Sequence, residues 1–205
     1  MKTGIIILAA GESARMGEPK QLLKYRGRTL LRHTVDVAHA LSCSPVAVVL
    51  GAHAAQIRPQ LDATRVLIAE NPDWPDGMGS SIRTGLRALL DEHPKISAAI
   101  FLVCDQPLLT PATLRSLIAT HERTGGSIVA SEYDGVLGVP AFFTHSFFPE
   151  LLALDGAAGA RQVIWTNRAH AIGVPFSEGT VDIDTPADFA RLRNSPVELR
   201  TPVLV

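Results

Sequence analysis

The chain has 205 residues, 46% apolar and 19% charged, enough for one well-buried core. Nineteen Lys and Arg against 20 Asp and Glu leave a net charge of −1 with no long run of one sign, which excludes a basic nucleic-acid-binding face. No apolar run approaches the ~20 residues of a membrane span, and the N-terminal "MKTGIIILAAG" has too short an apolar core for a signal peptide. Cys43 and Cys104 make no CxxC and no disulfide framework; both sit in apolar surroundings and read as buried free thiols, which fits a reducing cytoplasm.

In chain order, the first predicted strand is "GIIILA" (4–9). A loop from Ala9 to Lys20 follows, with two glycines, a proline and two cations, and then Leu22 and Leu23 open what reads as a helix. A helical pattern runs over 29–42, strands over 45–51 and 65–69, a second helix over 79–93 and a strand over 97–104. The helix at 111–125 carries its own punctuation: Thr110 as cap, Pro111 at the first position, Gly125 as stop. A strand at 126–131 leads into "EYDGVLGVPAFF" (132–143), whose Asp-Gly pair signals a hairpin or excursion. Residues 148–167 read as two short helices with a glycine-broken joint, 169–174 as a strand, and 182–193 as an acidic loop feeding a helix capped by Thr185, with Pro186 first and Asp188 in its first turn. The strand runs lack polar alternation, as in sheets covered on both faces. Strands and helices alternating at this spacing predict a three-layer α/β fold with a mostly parallel sheet and a late antiparallel excursion. One domain is expected over 1–195, with 196–205 as a C-terminal tail.

Open α/β sheets bind ligands at the carboxyl ends of their strands, where the Ala9–Lys20 loop must lie. Gly11 and Gly17 permit close backbone approach, successive N–H groups can cradle an anion, and Arg15 and Lys20 add charge suited to phosphate. The spacing matches neither a Walker A loop nor a GxGxxG fingerprint. The missing fingerprint also argues against a nicotinamide-dependent oxidoreductase. "FLVCDQP" ends an apolar strand on Asp105, a charge that needs a partner or a metal there; "DIDTPAD" (182–188) supplies a second acid. "GMGSSIRTGL" (77–86) sets Gly79, Ser80 and Ser81 before a helix, where they suit either close approach of a base or helix capping. No HExxH, close histidine cluster or GxSxG elbow is present.

The pattern that fits is LAAGxSxRMGxPKxLL, carried by Leu8, Ala9, Ala10, Gly11, Ser13, Arg15, Met16, Gly17, Pro19, Lys20, Leu22 and Leu23. It closely resembles the signature of the MobA-like nucleotidyltransferases, which make molybdopterin dinucleotide cofactors. "GMGSSIRTGL", "CDQPLL" (104–109), "GVPAFF" (138–143), "GAR" (159–161) and "DIDTPAD" occur in the family's order. The resemblance implies a Rossmann-like nucleotide-diphospho-sugar transferase fold, a single α/β/α nucleotidyltransferase domain. It implies Arg15, Lys20 and Asp105 as catalytic, and Leu8, Ala9, Ala10, Gly11, Ser13, Gly79, Ser80 and Ser81 as further nucleotide contacts. Mg²⁺ would be held by Asp105 and Asp184, and the acceptor by Gln106, Pro107, Gly138, Pro140 and Arg161. Ala10 stands where the guanylyl branch typically has glycine, so the cytidylyl branch is the better match. The reaction implied is CTP plus molybdenum cofactor giving the cytosine dinucleotide and pyrophosphate, in the cytoplasm, with a molybdoenzyme apoprotein as recipient. Alternatives are cytidylyl or guanylyl transfer to another phosphorylated acceptor, and a non-catalytic factor that delivers molybdenum cofactor. The family often has GDxGAR before its late helix; here Ala157 takes the place of the acid.

Overall fold

The structure is a computed structural model describing residues 1–41 and 45–194; Cys43 and the tail at 196–205 lie outside the described residues. Strand β1 (Thr3–Ala9) is buried along its whole length. The loop after it ends in a single 3-10 turn at Lys20–Leu22. The expected helix at Leu22–Leu23 does not form. Strands β2 (Lys24–Tyr25) and β3 (Arg28–Thr29) make a small antiparallel ribbon instead. Its turn, Arg26–Gly27, has φ of 51° and 80°, the left-handed pair that a tight hairpin requires and a glycine favours.

Helix α1 (Leu30–His39) starts on Thr29, whose hydroxyl accepts from the Arg32 amide at 3.2 Å. It is followed by β4 (Val46–Leu50), the short α2 (Ala54–Ile57), β5 (Leu67–Glu70), α3 (Met78–Glu92) and β6 (Ala98–Val103). Helix α4 (Pro111–Thr124) has the predicted Thr110 cap and ends on Gly125 at φ 71°. Strands β7 (Ile128–Tyr133) and β8 (Val136–Thr144) form the expected hairpin through Asp134–Gly135, with φ of 49° and 70°. The chain closes with α5 (Phe148–Leu152), α6 (Ala160–Thr166), β9 (Ala171–Pro175) and α7 (Pro186–Asn194).

The seven-stranded sheet has the order β5-β4-β1-β6-β8-β7-β9, and only β8 runs against its neighbours. Both faces are covered. Ile5 and Ile7 of β1 pack with α1 and α4 residues such as Leu31, Val35 and Leu114, while Ile6 and Leu8 pack with Ile82, Leu86 and Val163 of α3 and α6. This two-sided burial is why the strands show no polar alternation. The carboxyl ends of β1, β4, β6 and β7 share one edge, and the β7–β8 turn sits there too. A third, small cluster of Met16, Leu23, Leu30, Ile183 and Leu192 pins the post-β1 loop to the segment before α7. No helix among the described residues is long and apolar enough to cross a membrane.

Candidate active site

The loop after β1 is shaped from within. Gln21, 1% exposed, donates its amide to the carbonyls of Ala9 at 2.9 Å and Gly11 at 3.0 Å. The Ala10 carbonyl accepts from the Ala52 amide at 3.0 Å, and the Glu12 carbonyl meets His53 Nε2 at 3.2 Å. Four successive carbonyls, residues 9 to 12, are thus each held by a donor outside the loop's tip. Among the described residues the amides of Gly11 and Glu12 enter no backbone hydrogen bond. Fixed carbonyls and unengaged amides are the arrangement of an anion-binding nest. Ser13, at φ 62°, accepts from the Lys20 amide at 3.1 Å, so its hydroxyl closes the loop on itself. Met16, in the small third cluster, anchors the tip.

The acids meet at Lys20. Its ammonium donates to Asp105 Oδ2 at 2.6 Å, Asp184 Oδ1 at 3.1 Å and the Ile183 carbonyl at 3.4 Å. Burial alone would lower the Lys20 pKa, but the charge of Asp105 and the hydrogen bonds to Asp105 and Asp184 outweigh it and raise it well above the usual lysine range. Arg15, largely exposed, reaches Asp184 Oδ2 at 2.7 Å. Asp184 is placed by its own helix lead-in: Asp188 accepts from the amides of Asp184 and Thr185 and from the Thr185 hydroxyl, which hold its carboxyl below the usual range. The Ile183 amide donates to the Asp105 carbonyl at 3.0 Å, tying the two acid-bearing segments together. Nearby, burial and then the charges of Asp184 and Asp105 push the Asp182 carboxyl up.

These groups border a cavity of about 300 Å³ lined by Leu8 to Glu12, Lys20 and Asp105, with Trp74, Met78 and Val103 as apolar wall. Of the three residues singled out before α3, only Ser81 lines it. Gly79 faces the other way: a Cβ there would lie 2.2 Å from the Asp155 carbonyl, so glycine is needed for packing against the 155–158 loop. Ser80 and Ser81 accept from the buried Asn71 side chain at 2.8 and 3.0 Å, and neither caps α3, whose N-cap is Gly77. Buried Gln106 donates to the Val139 carbonyl at 3.1 Å, beside Pro140, and its Oε1 is buried without a partner. Pro107 is buried, and Gly138 leaves room for the Tyr133 hydroxyl, 2.2 Å from where a Cβ would stand. Arg161 lies elsewhere, at a second cavity beside the β7–β8 turn. Cys104 is buried and its thiol is pushed up to about 12, first by burial and then by Asp105.

Asp105 and Asp184 bring oxygen donors to a single cationic centre, the donor chemistry that suits Mg²⁺ or Mn²⁺. Among the described residues no group of three or more His, Cys, Asp or Glu forms a metal cluster, so an ion here would complete its shell from substrate phosphates.

Comparison with known proteins decides the family. The MobA-like NTP transferase domain matches residues 5–171. The chain belongs to this family. As a MobA-like enzyme it is a nucleotidyltransferase. Nicotine blue oxidoreductase of Paenarthrobacter nicotinovorans is 35% identical over 167 residues, covering 76% of this chain and 78% of that protein. Molybdenum cofactor cytidylyltransferase of Escherichia coli strain K12 is 26% identical over 196 residues, 95% of this chain and 97% of the relative. Among solved structures, Rv0371c of Mycobacterium tuberculosis H37Rv matches with a TM-score of 0.78 at 32% identity, covering 95% of this chain and 99% of that one. A structure of Rv0371c in complex with manganese gives a TM-score of 0.75 at 30% identity, covering 95% and 100%. Gln21, Ala52 and His53, which hold the loop, are not among the residues that carry the MobA-like motif. Gln21 is a polar residue directly before the Leu22–Leu23 pair, and its burial shows only in the structure.

Proposed function

We propose that this protein transfers a cytidylyl group from CTP to the terminal phosphate of molybdenum cofactor, releasing pyrophosphate. The observation that carries the reading is Lys20 held between Asp105 and Asp184 at the mouth of the cavity walled by the Leu8–Glu12 loop. The near full-length likeness to a molybdenum cofactor cytidylyltransferase supports the choice of acceptor. Ala10, on the cavity wall, supports cytidine over guanosine. The loop amides, Arg15 and Lys20 grip the triphosphate; Lys20 exchanges its carboxylate partners for phosphate oxygens. A phosphate oxygen of the acceptor bonds to the α-phosphorus as the bond to the β-bridging oxygen breaks, and that oxygen leaves with its electron pair on pyrophosphate. Asp105 and Asp184 would hold a divalent ion, Mg²⁺ by this reading, which when bound supplies positive charge to the reacting phosphates. An acceptor phosphate is already ionised, so no general base is needed, and catalysis is positioning and charge stabilisation. The enzyme acts as one domain over residues 1–195, in the cytoplasm, and hands its product to a molybdoenzyme apoprotein.

The test is incubation with molybdenum cofactor and each labelled nucleoside triphosphate, followed by identification of the dinucleotide. Formation of the cytosine dinucleotide with pyrophosphate is expected; a guanine product, or pyrophosphate release only with another phosphorylated acceptor, would reassign the substrate. Tight cofactor binding with no pyrophosphate from any nucleotide would point to a delivery factor.

A second reading rests on the relative named nicotine blue oxidoreductase. The apolar wall of Trp74, Met78 and Val103 suits a flat ring as well as a base. Hydride transfer to such a ring has no use for two acids joined on a lysine, which is why nucleotidyl transfer is preferred. Oxidation of NADH or NADPH dependent on a flat dye, with no pyrophosphate from any nucleotide, would reverse that preference.

A further inference from the structure

Asn71, directly after β5, is 2% exposed and has its side chain engaged at both ends. Its Oδ1 accepts from the Asp73 amide at 3.0 Å, and its Nδ2 donates to the Ser80 hydroxyl at 2.8 Å and the Ser81 hydroxyl at 3.0 Å. A backbone amide only donates, so the Asp73 contact fixes which end of the Asn71 side chain is oxygen. The main chain is held as well: the Asn71 amide donates to the Leu50 carbonyl at 2.7 Å. Each serine hydroxyl therefore receives a hydrogen from Asn71 and has one of its own to place. Ser80 gives its own to the Gly77 carbonyl at 2.7 Å. Among the described residues nothing accepts the Ser81 hydroxyl proton.

Ser81 is 5% exposed and lines the cavity of about 300 Å³. A buried donor without an acceptor is costly, so this hydroxyl is suited to a lone pair brought by a ligand. The apolar side of the same cavity depends on Asn71 too. The Asp73 amide that it holds leads into the turn Trp74–Asp76. Trp74 lies on Gly51, its Cβ 2.6 Å from where a Cβ on Gly51 would stand. One buried amide group thus sets the polarity of the polar wall and the seat of the flat one.

We propose that Asn71 is a positioning residue for base selection, acting through Ser81. By donating to Ser81 it turns that hydroxyl into a hydrogen-bond donor toward the cavity. The wall then accepts a pyrimidine whose ring nitrogen N3 carries a lone pair and refuses one whose N3 carries a hydrogen. Cytosine is the first kind and uracil the second. This rests on the reading of the cavity as the nucleotide site for CTP and deepens it. Aspartate has the same shape as asparagine but no hydrogen to give. With aspartate at this position both hydroxyls would donate to the carboxylate, and Ser81 would show the cavity only lone pairs, the match for an N3–H group.

The experiment is calorimetric titration of CTP and of UTP, each with Mg²⁺ and without acceptor, into the full chain, and it reads the ratio of the two affinities. The wild type should favour CTP by about tenfold or more. Asn71→Asp should move the ratio toward UTP by about tenfold or more. A purely structural defect, or a buried charge that weakens both nucleotides alike, leaves the ratio where it was. Ser81→Ala should bring the ratio close to one, and adding Asn71→Asp to it should move the ratio no further. Where Asn71→Asp fails to fold by circular dichroism, Asn71→Ala, which buries no charge, takes its place and should lose the preference as Ser81→Ala does. A wild type without preference for CTP over UTP overturns the proposal, as does a wild-type ratio in Ser81→Ala or in the folded Asn71 variant. No acceptor is present in these titrations. Absence of any nucleotidyl product from the wild-type protein therefore overturns the reaction instead and leaves the ratios to decide the role of Asn71.

Discussion

Replacing Lys20 with methionine removes the one ammonium that touches both Asp105 and Asp184, at 2.6 and 3.1 Å, and keeps an apolar stem of similar length. Hydrogen bonds to charged groups contribute about 1.5–3 kcal/mol each. The side chains concerned are 17% to 30% exposed, so the low end applies, and the pair together is worth about 3 kcal/mol. A divalent ion that approaches these carboxylates without nucleotide must displace the ammonium and forfeit those bonds. In the methionine variant no ammonium is displaced, and of the two carboxylates only Asp184 keeps a cationic partner, the largely exposed Arg15. At about 1.4 kcal/mol per factor of ten, Mn²⁺ affinity without nucleotide should rise by about one to two decades. The assay is titration of Mn²⁺ into nucleotide-free protein, with free Mn²⁺ read by electron paramagnetic resonance. The metal-free variant should also melt below the wild type and gain more from added Mn²⁺. Equal or weaker Mn²⁺ binding in the variant would refute the idea that Lys20 occupies the metal's place.

Asp105→Ala and Lys20→Ala should each cut turnover by about two orders of magnitude or more in a pyrophosphate-release assay; near-normal turnover in either would displace the site. Gln21→Ala frees the Ala9 and Gly11 carbonyls, at a cost of about 2 kcal/mol, or about 4–8 °C in melting temperature by calorimetry. His33 is half-buried with its Nε2 on the Leu109 carbonyl at 3.0 Å, and burial lowers its pKa from 6.5. A depressed pKa contributes stability that is complete above about 6.5 and is lost as pH falls through the folded value. His33→Gln should therefore flatten the acid limb of melting temperature against pH, and an unchanged limb would count against it. In a Cys43→Ser background Cys104, with its thiol pushed up to about 12, should stay inert to a thiol reagent at pH 8 until the protein unfolds.

The strands and long helices were legible because burial on both sheet faces leaves an unbroken apolar run, and because Thr110, Pro111 and Gly125 mark a helix's ends by local chemistry. The Asp134–Gly135 turn was legible for the same reason. Leu22–Leu23 misled: apolar residues after a loop look alike whether they start a helix or plug a small cluster, and only Gly27 hinted at the ribbon. Lys20, Asp105 and Asp184 are 85 and 164 residues apart along the chain, and motif likeness, not spacing, suggested their meeting. Gly79 shows the opposite failure. Its neighbour across the gap, the Asp155 carbonyl, belongs to a segment far away in sequence, so a packing requirement looked like a ligand-facing one. Gln21 and His53 escaped notice because their partners are backbone carbonyls, which no residue type advertises.

The carbonyls of residues 9 to 12 are held from outside, and Met16 is buried beneath the tip, so the loop's path owes nothing to the side chains of Glu12, Ala14 and Glu18, all exposed. Shape and surface chemistry are separable here. Those three positions can change charge without disturbing the cradle, and a scan of them could tune which anion is admitted while the fold of the loop is inherited intact.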